Sequence, residues 1–405
     1  MLICSALFLL ASYSCSEGTA NVVIKNNSGT VYSSIDKPIT DYQDKLLDIA
    51  FEISSKISVK PHIKDRSRAQ EAVVKASLKL DQPLRALRYI DRIDNWRRGS
   101  CYADLAFYCA TNGYTDKIEQ YLDLASQIFE DTEGWRKDQI RAKIAKTYTW
   151  MGQTQQANQF NISARSFERG EIVAVKAIKA DKDSFDKQVK ELEELIAPGN
   201  FDMEKNVLKA YTHLFDRFYD NEKRRSGLET KIKTSWDKIP IFARIELLAD
   251  LAASALGHGD QKNALELINE AQVFIDGAQW SPEYKIKLMA KLAKLRFQAG
   301  DIGNAKTHTD DLQIFFDTQR NNIVNIYRAG ALRPIAEVYQ LMGDTTAALK
   351  VYKKAIDEGV VNPNSRPRAE DLSASCLSMA LYKVEPGAKL YATIRQINEK
   401  LGAPW

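Results

Sequence analysis

The strongest constraint on what this chain can fold into is a set of small residues held at fixed distances from seven turns. The turn positions are Asp81, Gly113, Gly152, Gly259, Gly300, Gly343 and Lys383. Seven residues before them stand Val74, Ala106, Ala145, Ala252, Ala293, Ala336 and Cys376, all small or medium. One residue earlier come Val73, Leu105, Ile144, Leu251, Leu292 and Ile335, with Ser375 as the exception. Five residues after the turns stand Ala86, Ile118, Ala157, Ala264, Ala305, Ala348 and Ala388, six alanines in seven places. Twelve after come Ile93, Ala125, Ala164, Ala271, Leu312 and Ala355, and Arg395 breaks the series. Two helices joined by a short turn approach closely only where the facing side chains are small, with larger ones filling the spaces between. Apolar residues recur at three- and four-residue intervals from Tyr42 onward, which is the period of helices and not of strands.

The slots of Leu332 to Ala355 carry a family likeness. Leu332, Ile335, Ala336, Tyr339, Gly343, Asp344, Ala348, Tyr352 and Ala355 stand in the order of the tetratricopeptide repeat motif, and the chain resembles that family. Met151-Gly152 with Ala157 and Ala164, and Gly259-Asp260 with Ala264 and Ala271, repeat the pattern. The resemblance implies an all-α fold of antiparallel helical hairpins stacked as an α-solenoid over residues 42–405. Two departures stand out: the proline that usually closes a unit is missing, and adjacent turns outside the Gly152–Gly259 gap lie 32 to 43 residues apart, against a period of about 34. Between Gly152 and Gly259 no further unit is clean, so degenerate units are expected at 165–240.

Glycine turns can also cradle phosphates, but neither Walker nor GxGxxG spacing surrounds these, and each follows a helix where a phosphate loop follows a strand. They read as helix C-termini, where a positive φ needs glycine most. Asp260, Asp301 and Asp344, next in sequence, then favour the start of the following helix by capping or by their charge.

Ahead of the helices, Leu2–Ala11 is an apolar run of signal-peptide length, too short to span a bilayer. Residues 1–15 are read as an export signal, one that loosely resembles a bacterial lipoprotein signal; that likeness implies a lipid on Cys15. Residues 16–41 are rich in Ser, Asn, Thr and Gly and read as a flexible tether with at most one short strand. Cys101 and Cys109 fall eight apart on one helix, about 12 Å along its axis, beyond disulfide reach. They and Cys376 read as packing residues.

With 57 basic against 53 acidic side chains the net charge is +4, too small for a chain of this length to imply nucleic acid. The clusters around Arg97 and Arg224 are short. No HExxH, CxxC or GxSxG occurs among the four histidines and five cysteines, and neighbouring acids such as Glu193-Glu194 or Asp310-Asp311 point apart around a helix. No catalytic group, metal site or cofactor is therefore assigned. The function expected is that of an exported protein-interaction scaffold, with a membrane reached only through the lipid and self-association as a further outcome. In the tetratricopeptide family the groove is faced by the first helix of each pair, about thirteen, ten, six, three and two residues before the turn. Carried onto this chain, the resemblance implies peptide or protein binding by Lys75, Lys79, Phe107, Lys146, Trp150, Lys294, Phe297, Arg333, Glu337 and Gln340. The alternative is an enzyme or glycan-binding protein with its site in residues 165–240.

Overall fold

The structure, a computed structural model, describes residues 23–25, 31–33, 35–160, 169–195 and 201–405. The fold is all-α apart from one small hairpin, in which β1 (Val23–Lys25) pairs antiparallel with β2 (Val31–Ser33). The reading of 16–41 allowed one strand; two are present. Cys15 and the rest of residues 1–15, read above as an export signal, lie outside the described residues. Among the described residues no helix is long and apolar enough to cross a membrane.

Helix α1 (Asp41–Lys56) comes first, started by a capping box in which Thr40 and Gln43 satisfy each other's backbone N–H groups. Then come α2 (Val59–Lys79) with α3 (Pro83–Ile90), α4 (Arg97–Thr111) with α5 (Ile118–Glu130), and α6 (Trp135–Trp150) with α7 (Thr154–Gln159). The middle of the chain forms α8 (Arg169–Ile178) with α9 (Phe185–Leu195), and α10 (Phe201–Arg217) with α11 (Glu222–Thr234). Three regular units follow: α12 (Ile241–Gly257) with α13 (Gln261–Asp276), α14 (Pro282–Gln298) with α15 (Ile302–Gln319), and α16 (Asn325–Leu341) with α17 (Thr345–Gly359). The chain ends in α18 (Ser365–Leu381) and α19 (Gly387–Glu399).

The seven turns behave as their chemistry requires. Gly113, Gly152, Gly259, Gly300 and Gly343 have φ between 76° and 83°, and Asp81 and Lys383 adopt φ of 56° without being glycine. Asp260 and Asp344 cap the next helix by accepting from Asn263 N at 3.0 Å and Ala347 N at 2.9 Å. Asp301 does not cap; its carboxylate turns to Arg296 at 3.1 Å and to Asn304 at 2.8 Å. The slot seven before each turn is fully buried in all seven units, which is why only residues of alanine to valine size fit there. The slot five after is buried or half-buried in six units and exposed at Ala388. In α19 the buried residues are Leu390, Ile394 and Asn398, so its register has slipped from the others.

The first helices pack in series, α2 on α4, then α6, α8, α10, α12, α14, α16 and α18. The series then returns to its origin, because α18 packs on both α2 and α1. Helix α1 lies along α18 where a second helix would be expected, and α19 makes little contact with α18. Gln43 Nε2 donates to Ala380 O at 2.9 Å, Ser373 Oγ to Ala50 O at 3.1 Å, and Asn398 Nδ2 to Glu52 Oε1 at 2.7 Å. One hydrophobic core accordingly joins both ends of the chain, from Leu46 to Ile394, while a second fills the middle from Val173 to Leu295.

Candidate functional site

Ion pairs tie six of the neighbouring pairs of first helices among the described residues. Asp104 of α4 meets Lys143 of α6 at 2.6 Å, and Asp250 of α12 meets Lys291 of α14 at 3.5 Å; all four residues stand nine before their turns. Lys205 and Glu246 join α10 to α12 at 2.8 Å, Arg333 and Asp371 join α16 to α18 at 3.2 Å, and Arg366 and Asp65 join α18 to α2 at 3.6 Å. Glu71 of α2 pairs with Arg97 of α4 and with Lys75 at 2.7 Å. Burial works against the charge on Glu71, but Lys75, Lys143 and Arg97 outweigh it and hold the carboxyl below its ordinary range. Lys143 is the mirror case: burial disfavours its ammonium, and Asp104 more than restores it.

Beside this belt, the α4–α6 face brings three of the expected binding residues together. The rings of Phe107 and Trp150 meet edge to face with centroids 5.7 Å apart. Lys146 sits over the Phe107 ring at 4.4 Å, and Lys179, just past the end of α8, sits over Trp150 at 5.0 Å. Lys179 also donates to the Trp150 carbonyl. Both rings are half-buried. Each cation lies within the range at which a ring quadrupole attracts it, so the surface is at once apolar and positive.

The α14–α16–α18 face gathers another three, with different chemistry. Ser378 Oγ donates to Glu337 at 2.5 Å and shares a hydrogen bond of 2.8 Å with the Tyr352 hydroxyl. Lys294 Nζ lies 3.4 Å from the Tyr382 hydroxyl and 5.5 Å above that ring. Arg333 is spent on Asp371. Burial pushes the Glu337 carboxyl up, opposed by its bonds to Ser378 and Tyr382 and by Arg333 and Lys294. Asp371 is likewise raised by burial, with Arg333 pulling the other way.

The remaining expected residues are scattered. Lys75 and Lys79 are exposed on α2, the first held by Glu71. Phe297 is half-buried and joins no ring pair among the described residues. Gln340 donates to Lys383 O at 3.5 Å, at the far edge of hydrogen bonding. Sequence reasoning missed Lys179, which lies where no turn provides a ruler, and Asp371 and Tyr382, which lie twelve and one before theirs, outside the positions counted.

Other reactive groups are tied down. Cys101, Cys109 and Cys376 are free and buried, and burial pushes the thiols of Cys109 and Cys376 up to about 12, far from a nucleophile's range. His258 stacks on Tyr219 with centroids 4.5 Å apart. Burial lowers His213, against Asp216 and Asp250. Asp310 binds Lys306 at 2.8 Å and the Tyr339 hydroxyl at 2.7 Å. No three His, Cys, Asp or Glu side chains converge on a metal position among the described residues.

Among the described residues, three cavities open in the middle of the chain. One of about 450 Å³ lies between α6, α7, α8 and α9, lined by Phe160, Val173, Lys176, Glu191 and Glu194 among others. The next, about 750 Å³, is lined by Asp181, Arg217, Phe218 and Arg224, and shares Arg224 with a third of about 400 Å³. None of the three has a histidine or cysteine in its wall. No family model and no curated protein matches the chain.

Proposed function

We propose that the chain is an exported, non-catalytic protein-interaction scaffold, a solenoid of tetratricopeptide-like hairpins that holds a peptide or protein segment against the α4–α6 face. The observation that carries this reading is the Phe107–Trp150 pair with Lys146 and Lys179 over its rings. Aromatic anchors on a rigid face supply contact area at small entropic cost, and a few such anchors dominate binding energy. The lysines suit a segment that carries carboxylates among apolar side chains. Because the helices beneath are pinned by Asp104–Lys143, the face is built before a partner arrives.

The test is affinity capture with the crosslinked, exported protein, identification of the partner by mass spectrometry, and binding measured with the Phe107→Ala/Trp150→Ala variant. Unchanged affinity in a variant that remains helical would sink the assignment. The same exported sample, weighed intact, would show whether Cys15 carries a lipid.

A second reading has one observation in its favour. The three cavities fall in or beside residues 165–240, where an enzyme or glycan-binding site is the alternative. Glu191 and Glu194 share the first cavity, but Glu191 pairs with Lys176 at 3.3 Å, which favours a structural part for it. Binding of oligosaccharides to the chain, lost on Glu194→Gln, would move the conclusion to this site.

A further inference from the structure

Outside the middle of the chain the first helices run from linkers at one rim to the positive-φ turns at the other, and the linker rim has an unusual sector where α16, α18 and α2 begin. Val324, Ile326 and Tyr327 are 58%, 42% and 45% exposed, Val361 is 51% exposed, and Val59 is 43% exposed. Asn362 Nδ2 donates to Asn325 Oδ1 at 3.2 Å, joining the Val361 and Val324 segments. The Arg366–Asp65 pair joins the start of α18 to the start of α2. Exposed apolar side chains gathered this way mark a surface that meets something other than water.

Charge identifies what it meets. Residues 57–68, 320–328 and 360–368 contain eight Lys and Arg and one acid, Asp65. Glu358, Glu370 and Asp94 reach in from outside to pair with Arg320, Arg366 and Arg66, which still leaves an excess of four positive charges (eight minus four). The neighbouring sector at the starts of α4 and α6 differs. Residues 91–98 and 131–138 hold five basic and five acidic side chains, around the equally exposed Trp135. Charge is thus unbalanced beside this apolar sector and balanced beside its neighbour.

We propose that this sector rests on an anionic phospholipid surface. Val324, Ile326, Tyr327 and Val361 enter the boundary between headgroups and acyl chains, and Lys60, Lys64 and Arg68, all exposed, lie over lipid phosphates. Apolar side chains with cations beside them are the composition of interfacial binding. A nucleic acid fits less well, because of these side chains only Tyr327 offers bases a stacking face. A second copy fits less well too, because a two-fold contact would set the same positive sector against itself. The surface is separate from the α4–α6 face and does not depend on the reading of that face.

Vesicle flotation of the full-length chain tests it, with phosphatidylcholine vesicles compared with vesicles enriched in phosphatidylglycerol. Wild type should float with the anionic vesicles only, and less in high salt. Val324→Ser/Ile326→Ser/Val361→Ser and Lys60→Gln/Lys64→Gln should each reduce binding roughly tenfold. Val273→Ser/Ile314→Ser, altering exposed residues of α13 and α15, should bind as wild type does, and circular dichroism should show all variants equally helical. Absence of flotation overturns the proposal. So does flotation that the rim variants leave intact, which would assign it to the apolar run at Leu2–Ala11. A rim variant that instead abolishes a dimer or the capture of an acidic soluble protein, without vesicle binding in wild type, overturns it as well.

Discussion

Six residues before their turns, α4 and α6 carry Phe107 and Lys146, while α16 carries Glu337. The backbone slot is the same and its use is opposite. On the α4–α6 face the cations at this level are seated on rings. A cation on a partly exposed ring gains only about 0.5–1 kcal/mol, so the arrangement can be traded for contacts with a partner. On the α16–α18 face, Glu337 is answered by Ser378 and Arg333 is taken by Asp371, so this chain has already supplied the partner. A slot that faces outward in a repeat therefore does not reveal whether it serves binding or cohesion. What differs is what the neighbouring helices set against it, the rings of Phe107 and Trp150 on one face and the polar groups of Ser378 and Asp371 on the other.

The sharpest way to break this contrast is to remove the internal partner. Asp371→Ala leaves Arg333 without its carboxylate at a site where both side chains are less than a fifth exposed. Breaking such a pair should cost about 3 kcal/mol, read as a lower denaturant midpoint, with partner binding unchanged wherever the chain is folded. A loss within about 0.5 kcal/mol, the range of ordinary surface changes, would mean the face is not structural. The converse test is Phe107→Ala/Trp150→Ala, which should weaken the captured partner by about 2 kcal/mol or more. The accompanying loss of stability should be smaller than that of Asp371→Ala, because the rings are half-buried. If the double variant unfolds the chain and leaves the affinity of the remaining folded fraction intact, the two faces exchange their roles.

Much of the scaffold was legible because it repeats. The turn ruler located every position where φ is positive at the end of a first helix, including Asp81 and Lys383, which are not glycine. The small slots seven before each turn are closed to solvent, because it is there that the helices approach. The return of α18 to α1 was not legible, since Gln43 and Ala380 meet across 337 residues with no period to relate them. Its one visible trace was Arg395 in an alanine slot, which marks the register slip of α19. The site was readable in the same proportion. A count from the turn finds Phe107, Lys146 and Trp150, because they repeat a slot, and it cannot find Lys179, which follows α8 in a stretch without alanine slots. Nor can a count say that Arg333 is already taken, because Asp371 belongs to another helix.

The smallest expected effect concerns the proton on Glu337. Burial raises this carboxyl above its ordinary value of 4.5, so between 4.5 and the higher folded value the native chain holds a proton that the unfolded chain has lost. Stability then falls as pH rises through that window, and above it the loss is complete. Glu337→Gln keeps the shape and a polar group for Ser378 while removing the titration. The variant should therefore gain on wild type as pH rises from 4.5 toward neutrality, compared by urea midpoints at each pH. The opposite slope, with the variant losing ground as pH rises, would mean that the ionised carboxylate is what the site stabilises, through Arg333 and Lys294. In that case the α16–α18 face would be held by charge in the manner of Glu71, whose carboxyl is pulled down by its lysine and arginine neighbours, and the contrast between the two faces would shrink to the presence of the rings.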